Sequence, residues 1–176
     1  MKAILKTMAS VLFAVAVFGF VGNASASIVA GYWKTIDDKD KKPKSVVHIY
    51  KKGKKFYGRI IKLFRKKPQE LCPKCVKCKG KRKNKPTCGM QLLWNLKKEG
   101  KNTYGYGKII DPKNGKIYGA KIWVDPKKPN QLKVRGYLFI FFRTQTWYRV
   151  SKPKKGTCKQ VCSGKKAAPK KAAKKG

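Results

Sequence analysis

The chain has 176 residues with 46 Lys+Arg, 7 Asp+Glu and a single His, a formal net charge of +39. One imidazole and seven carboxylates leave little material for positioned acid–base pairs, so an enzyme is not expected. Charge this one-sided attracts polyanions of every kind without choosing among them, and so carries no specific nucleic-acid reading.

Lys2 and Lys6 precede an apolar run from Ala9 to Gly22, and Ala24-Ser25-Ala26 supplies small residues at a cleavage position. This is the pattern of a Sec-type signal peptide over residues 1–26, cut near Ala26. The apolar run of 14 residues is short for a bilayer span, and no later segment is continuously apolar for about 18 residues. A periplasmic or secreted protein is therefore expected. Two of the lysines lie before residue 27 and ten after residue 151, which leaves 34 basic against 7 acidic residues, or +27, over residues 27–151. That length suits one domain with one core.

Ala30 to Ile36 reads as the first strand. The charged stretch Asp37 to Lys44, with Pro43, reads as a loop. Ser45 to Lys51 and Lys55 to Phe64 flank the compact turn Lys52-Gly53-Lys54 and predict a hairpin. Arg65 to Cys88 holds three prolines and four cysteines with little apolar periodicity, and predicts a long irregular excursion. Strand patterns resume over Met90 to Lys97, Thr103 to Ile110, Lys116 to Val124, Gln131 to Phe139 and Gln145 to Val150, separated by turn formers. Eight short strands with no helical pattern between them predict an all-β antiparallel sandwich or up-and-down barrel. Residues 152–176 are low-complexity and lysine-rich, and predict a disordered basic tail.

Candidate chemistry along this chain is sparse. His48 alternates with Val46 and Tyr50 and reads as an ordinary strand histidine. Asp37 and Asp38 are neighbours on an extended chain and point to opposite faces, and Asp111 before Pro112 reads as a turn initiator. No catalytic residue is assigned. Cys72, Cys75, Cys78 and Cys88 have the number and short spacing of a structural zinc site. In an exported chain, however, an even number of cysteines favours disulfides over metal. Cys75–Cys78, a link from Cys72 to Cys88, and Cys158–Cys162 are the candidate bridges; spacing does not fix their connectivity, and no metal or cofactor is expected.

Gly31-Tyr32-Trp33 on the first strand and an Arg at position 149 on the last form the frame of lipocalin-like barrels. Between them Ile36-Asp37-Asp38, Ser45-Val46-Val47, Asp111-Pro112-Lys113-Asn114-Gly115-Lys116, Val134-Arg135-Gly136-Tyr137 and Arg143-Thr144-Gln145-Thr146-Trp147 follow in order. Together these resemble a secreted bacterial family of unknown function, the one numbered 2147. The resemblance covers roughly Gly31 to Val150. It implies an eight-stranded antiparallel up-and-down barrel of lipocalin type, with Trp33 and Arg149 closing one end. Leu138-Phe139-Ile140-Phe141-Phe142 departs from the family pattern, which has a glycine-bearing turn there, and reads as a barrel rim or contact surface.

A barrel of eight strands has room for side chains or one small ligand. Period-two phasing puts Met90, Leu92, Trp94 and Leu96 on one face, and Ile117, Gly119, Lys121 and Trp123 on one face of a later strand, without saying which is inward. With Trp94, Tyr106 and Trp123 inward and Arg135 as a charged anchor, the interior would hold a small apolar or amphipathic ligand with an acidic head. The alternative is a polyanion-binding or adhesive protein acting through its basic surface and tail on anionic lipid, lipopolysaccharide or glycan. Neither reading fixes an oligomeric state.

Overall fold

The computed structural model describes residues 27–65 and 72–162. Its eight strands are β1 (Gly31–Ile36), β2 (Pro43–Lys52), β3 (Lys55–Leu63), β4 (Gln91–Gly100), β5 (Thr103–Ile110), β6 (Ile117–Val124), β7 (Gln131–Leu138) and β8 (Phe141–Val150). Each pairs antiparallel with the next, and β8 returns to β1 through Tyr32↔Val150, Trp33↔Arg149 and Lys34↔Tyr148. The result is the closed up-and-down barrel that the sequence implies, with no free sheet edge. The one strand start that differs by several residues is that of β8, at Phe141 rather than Gln145. Leu138 pairs with Phe141 across a two-residue turn made of Phe139 and Ile140, neither of which is a turn former.

The interior is filled. Trp33, Ile49, Leu93, Leu96, Ile122, Leu132, Val134 and Trp147 are all at most 2% exposed, which leaves no water-sized void against them. Burial of such side chains stabilises by about 1.5–3 kcal/mol each. Simple alternation fails in β4, where Leu93 and Leu96 are both fully buried although three apart. The β3–β4 ladder shifts register between Phe56 and Gly58 and again before Arg59, and Asn95 adopts φ 60°. These bulges reset the phase, so the expected shared face of Met90, Leu92, Trp94 and Leu96 does not form. A similar bulge in β5, with Tyr106 at φ 56°, separates Tyr104 (opposite Ile122) from Gly107 (opposite Ala120).

One barrel end is shut by the first and last strands. Gly31 has φ 127°, a conformation only glycine enters readily, and a Cβ there would lie 2.9 Å from an Arg149 guanidinium nitrogen. Arg149 donates to the carbonyls of Ala30 (3.1 Å), Pro129 (3.4 Å) and Ile28, and its guanidinium lies 4.2 Å from the Trp33 ring centroid. The Trp33 indole donates to the Val29 carbonyl at 2.9 Å. Burial lowers the Arg149 pKa from its ordinary value.

The connections β1–β2, β3–β4, β5–β6 and β7–β8 gather at the other end. In the longest, β3–β4, the described residues 72–90 fold back as a lid. Cys75 and Cys78 are buried, the Cys75 sulfur lies 3.4 Å from the Pro112 carbonyl oxygen, and a Cβ at Gly115 (φ 71°) would fall on the Lys77 carbonyl. The expected Cys75–Cys78 bridge is present. The other two expectations are corrected: Cys72 bonds Cys162 and Cys88 bonds Cys158, with Cα separations of 5.6 and 5.2 Å. Cys158 and Cys162 are the ends of a short helix, α1 (Cys158–Cys162). Residues four apart on a helix share a face but sit about 5–6 Å apart at Cβ, too far to bond each other, so both reach across to the lid. The boundary drawn at residue 152 is therefore also corrected. Residues 152–162 belong to the folded unit, with Lys62 Nζ donating to the Lys155 carbonyl at 3.1 Å, whereas residues 163–176 and the leader 1–26 lie outside the described residues.

Two outcomes are expected. Replacing Cys88 and Cys158 together by Ser opens a loop of 70 residues and should lower the unfolding free energy in urea by about 2–4 kcal/mol, whereas the Cys75/Cys78 pair replaced by Ser should cost far less. Arg149→Ala should cost about 2–4 kcal/mol by the same measurement, and Arg149→Lys should recover little, because an ammonium cannot fork to several carbonyls while stacking on Trp33.

Candidate functional site

The four side chains expected to line the interior do not face it. On β6 the buried Ile122 and Val124 flank Trp123, and on β7 the buried Val134 precedes Arg135, so the pleat turns Trp123 and Arg135 outward. Trp94 neighbours the inward Leu93, pairs with the exposed Lys108, and is covered by the Arg82 guanidinium 4.4 Å from its ring centroid. Tyr106 is thrown out by its bulge and is 70% exposed. The interior aromatic pocket is thus corrected: bulges and burial demand, invisible to a period-two count, turn these rings out and send Trp33, Trp147, Phe56 and Tyr104 in.

Trp123 and Arg135 nevertheless come together on the outer wall. Arg135 stacks 5.2 Å from the Trp123 centroid and 4.3 Å from that of Phe142, and its Nε donates to Thr144 Oγ1 at 2.9 Å. Lys121 lies directly across from Arg135 and pairs with Glu99 at 3.0 Å, while Thr103 lies across from Trp123. Thr103, Lys121, Trp123 and Arg135 line an open cleft of about 310 Å³. One indole face beside two cations and a hydroxyl suits a molecule with an apolar body and an acidic head. Period-two phasing already places Lys121 on the face of Trp123, whereas Thr103 and Phe142 were missed because their proximity follows from cross-strand register, which no local pattern encodes.

His48 takes no part in the cleft. It stacks on Tyr32 at 4.5 Å between centroids, followed by Tyr50 at 5.4 Å, which lies 6.0 Å from Tyr57, forming an aromatic ladder on β1–β3. Burial, and secondarily the Lys152 charge, lowers its pKa from the ordinary value. At the mouth, Asp38 pairs with Arg143 and accepts from Gln145 at 2.7 Å. Asp37 accepts from the Lys39 amide at 3.0 Å and pairs with Lys44 and Lys113, each at 3.5 Å; that amide, reinforced by the two lysines, holds its carboxyl at about 2. The two aspartates thus serve different partners, tying the β1–β2 loop to β8 and to the β5–β6 turn. Among the described residues no group of three or more His, Cys, Asp or Glu side chains is placed to hold a metal ion.

A family model described as "Uncharacterized protein conserved in bacteria (DUF2147)" matches residues 31–149. No curated protein matches the chain. Among solved structures it is similar to protein HP1028 of Helicobacter pylori, described as belonging to the lipocalin family, with a TM-score of 0.58 and 24% identity over 69% of this chain and 82% of that one. At that identity the likeness is one of fold.

The Asp37 contacts have a pH signature. Its folded value of about 2 lies below the ~3.9 of an unfolded aspartate, so its support for the mouth is fully present above about pH 4 and is lost as pH falls through about 2. A carboxyl-carbon NMR titration should place the Asp37 midpoint near 2, and Asp37→Asn should abolish that transition.

Proposed function

Because this chain belongs to the bacterial DUF2147 family and closes into a lipocalin-type barrel, we propose that it is an exported binding protein for a small amphipathic acid, held on the barrel's outer wall. The observation that carries the reading is the convergence of Trp123, Arg135 and Lys121 on one open cleft. The apolar body of the ligand lies against the indole, and its anionic head meets the Arg135 guanidinium, beside the Lys121 ammonium that Glu99 already pairs. The packed interior argues for this placement over one inside the barrel, since opening a filled core would cost the burial that stabilises it. Export is supported by the leader pattern of residues 1–26 and by the cysteine pairing, which suits an oxidising compartment. The reading is one of binding rather than catalysis. A second reading, adhesion to polyanions, has residues 72–90 in its favour, which carry seven basic side chains and no acid.

Dodecanoate titrated into the mature protein should bind with an affinity on the order of micromolar and change the tryptophan emission. Trp123→Ala and Arg135→Gln should each weaken it about tenfold, Trp94→Ala should leave it unchanged, and dodecanol should bind less tightly for want of the charged head. Equal affinity across all variants, with a steep dependence on salt alone, would favour the polyanion reading instead.

A further inference from the structure

The tip of the β7–β8 hairpin is the largest break in the rule that apolar side chains are inside. Leu138, Phe139, Ile140, Phe141 and Phe142 are 49%, 92%, 83%, 74% and 64% exposed. In β7 and β8, Leu132, Val134 and Trp147 face the interior, so Leu138 and Phe141 continue the inward phase and Tyr137 and Phe142 the outward one. Both phases are exposed at the tip, so the ladder runs past the barrel mouth as a protruding ribbon. No charged residue interrupts it from Gly136 to Phe142.

The backbone adds an independent observation. Phe139 occupies the first position of a two-residue hairpin loop with φ 52°, and Ile140 is not in the positive-φ region. That is the position where such turns call for glycine. A large aromatic ring is thus held, at a conformational cost, where it is most exposed and contributes least to folding. Conformational cost at an exposed apolar residue points to a use outside the fold.

We propose that this hairpin is a wedge that docks the protein on anionic lipid bilayers. The convex tip offers no pocket for a small molecule, but its rings and branched chain suit the boundary between head groups and acyl chains. Charge complements it. The described loops at the same barrel end, residues 37–42, 72–90 and 111–116, together carry 12 basic and 4 acidic side chains. That is an excess of eight positive charges, with all four carboxylates counted, and Asp37 and Asp38 are further countered by Lys44 and Arg143 of the adjoining strands. The mouth therefore faces outward as a cationic ring around an apolar wedge. The ring draws the protein to an anionic surface over about a Debye length, and the wedge then enters the interface. Arg135, stacked on Phe142, braces the ribbon at its root.

The test is co-sedimentation of the full mature chain with vesicles of mixed phosphatidylcholine and phosphatidylglycerol, with phosphatidylcholine vesicles beside them. The wild type should bind the mixed vesicles and bind the neutral ones weakly. Phe139→Gly/Ile140→Asn installs residues that the turn prefers, so thermal stability should hold or rise while affinity for mixed vesicles falls about tenfold or more. Trp123→Ala should leave vesicle binding intact, which separates the wedge from the ligand cleft. Undiminished vesicle binding by the double variant would overturn the wedge and leave charge alone as the cause. A lipid-free dimer of the wild type that the double variant abolishes, with no vesicle binding by either, would assign the tip to a second copy of the chain and also overturn it.

Discussion

The barrel closes only because β1 and β8 meet, and their meeting is organised by one stack. Arg149 lies over the Trp33 ring while donating to the carbonyls of Ile28, Ala30 and Pro129, so a single side chain ties the entering chain, the β6–β7 connection and the last strand together. A guanidinium can do this because it is planar and forked, stacking on an indole with its faces while donating at its edge. Gly31 is the necessary complement, since any Cβ would intrude on the guanidinium. Without this closure β1 and β8 would become free edges and the inward rows of seven other ladders would lose their enclosure.

Closure around eight short strands leaves little space, and bulky side chains use it up. Gly58 and Gly107 do not open a pocket, because Leu93 and Leu96 pack where their side chains would be. The surfaces proposed for recognition therefore lie on the wall and the rim rather than at the centre. On the wall, register brings an indole and two cations together. At the rim, two long-range disulfides fix a lysine-rich lid and α1 to each other, so that positive charge is carried on a covalently held surface.

The two barrel ends consequently have different physics. The closed end is dominated by a desolvated stack and backbone carbonyls. The loop end is dominated by charge, with Asp37 and Asp38 paired to Lys44 and Arg143 on the adjoining strands and a net positive balance around the apolar β7–β8 tip. Such a division lets stability reside at one end while the strained and exposed groups sit at the other, where they do not threaten the core.

Strand number, order and most boundaries were legible in the sequence, because alternation and turn formers act within a few residues; Thr103–Ile110 was read to the residue. The Trp33–Arg149 closure was legible through the motif it shares with lipocalin-like barrels, and Cys75–Cys78 through its spacing. What the sequence could not decide was whatever depends on how distant residues meet. Bulges at Asn95 and Tyr106 reversed the phase within two strands and turned Trp94 and Tyr106 outward, while on β6 the burial of Ile122 and Val124 left Trp123 outside, so the inward aromatics are Trp33, Trp147, Phe56 and Tyr104. The long-range disulfides required knowing that residues 152–162 return to the lid. The turn at Phe139 and Ile140 carried no turn signature, because its conformation is imposed by the pairing of Leu138 with Phe141. Local chemistry wrote the strands; register, bulges and chain return, which are properties of the closed barrel alone, chose which side chains face the core and which face the world outside it.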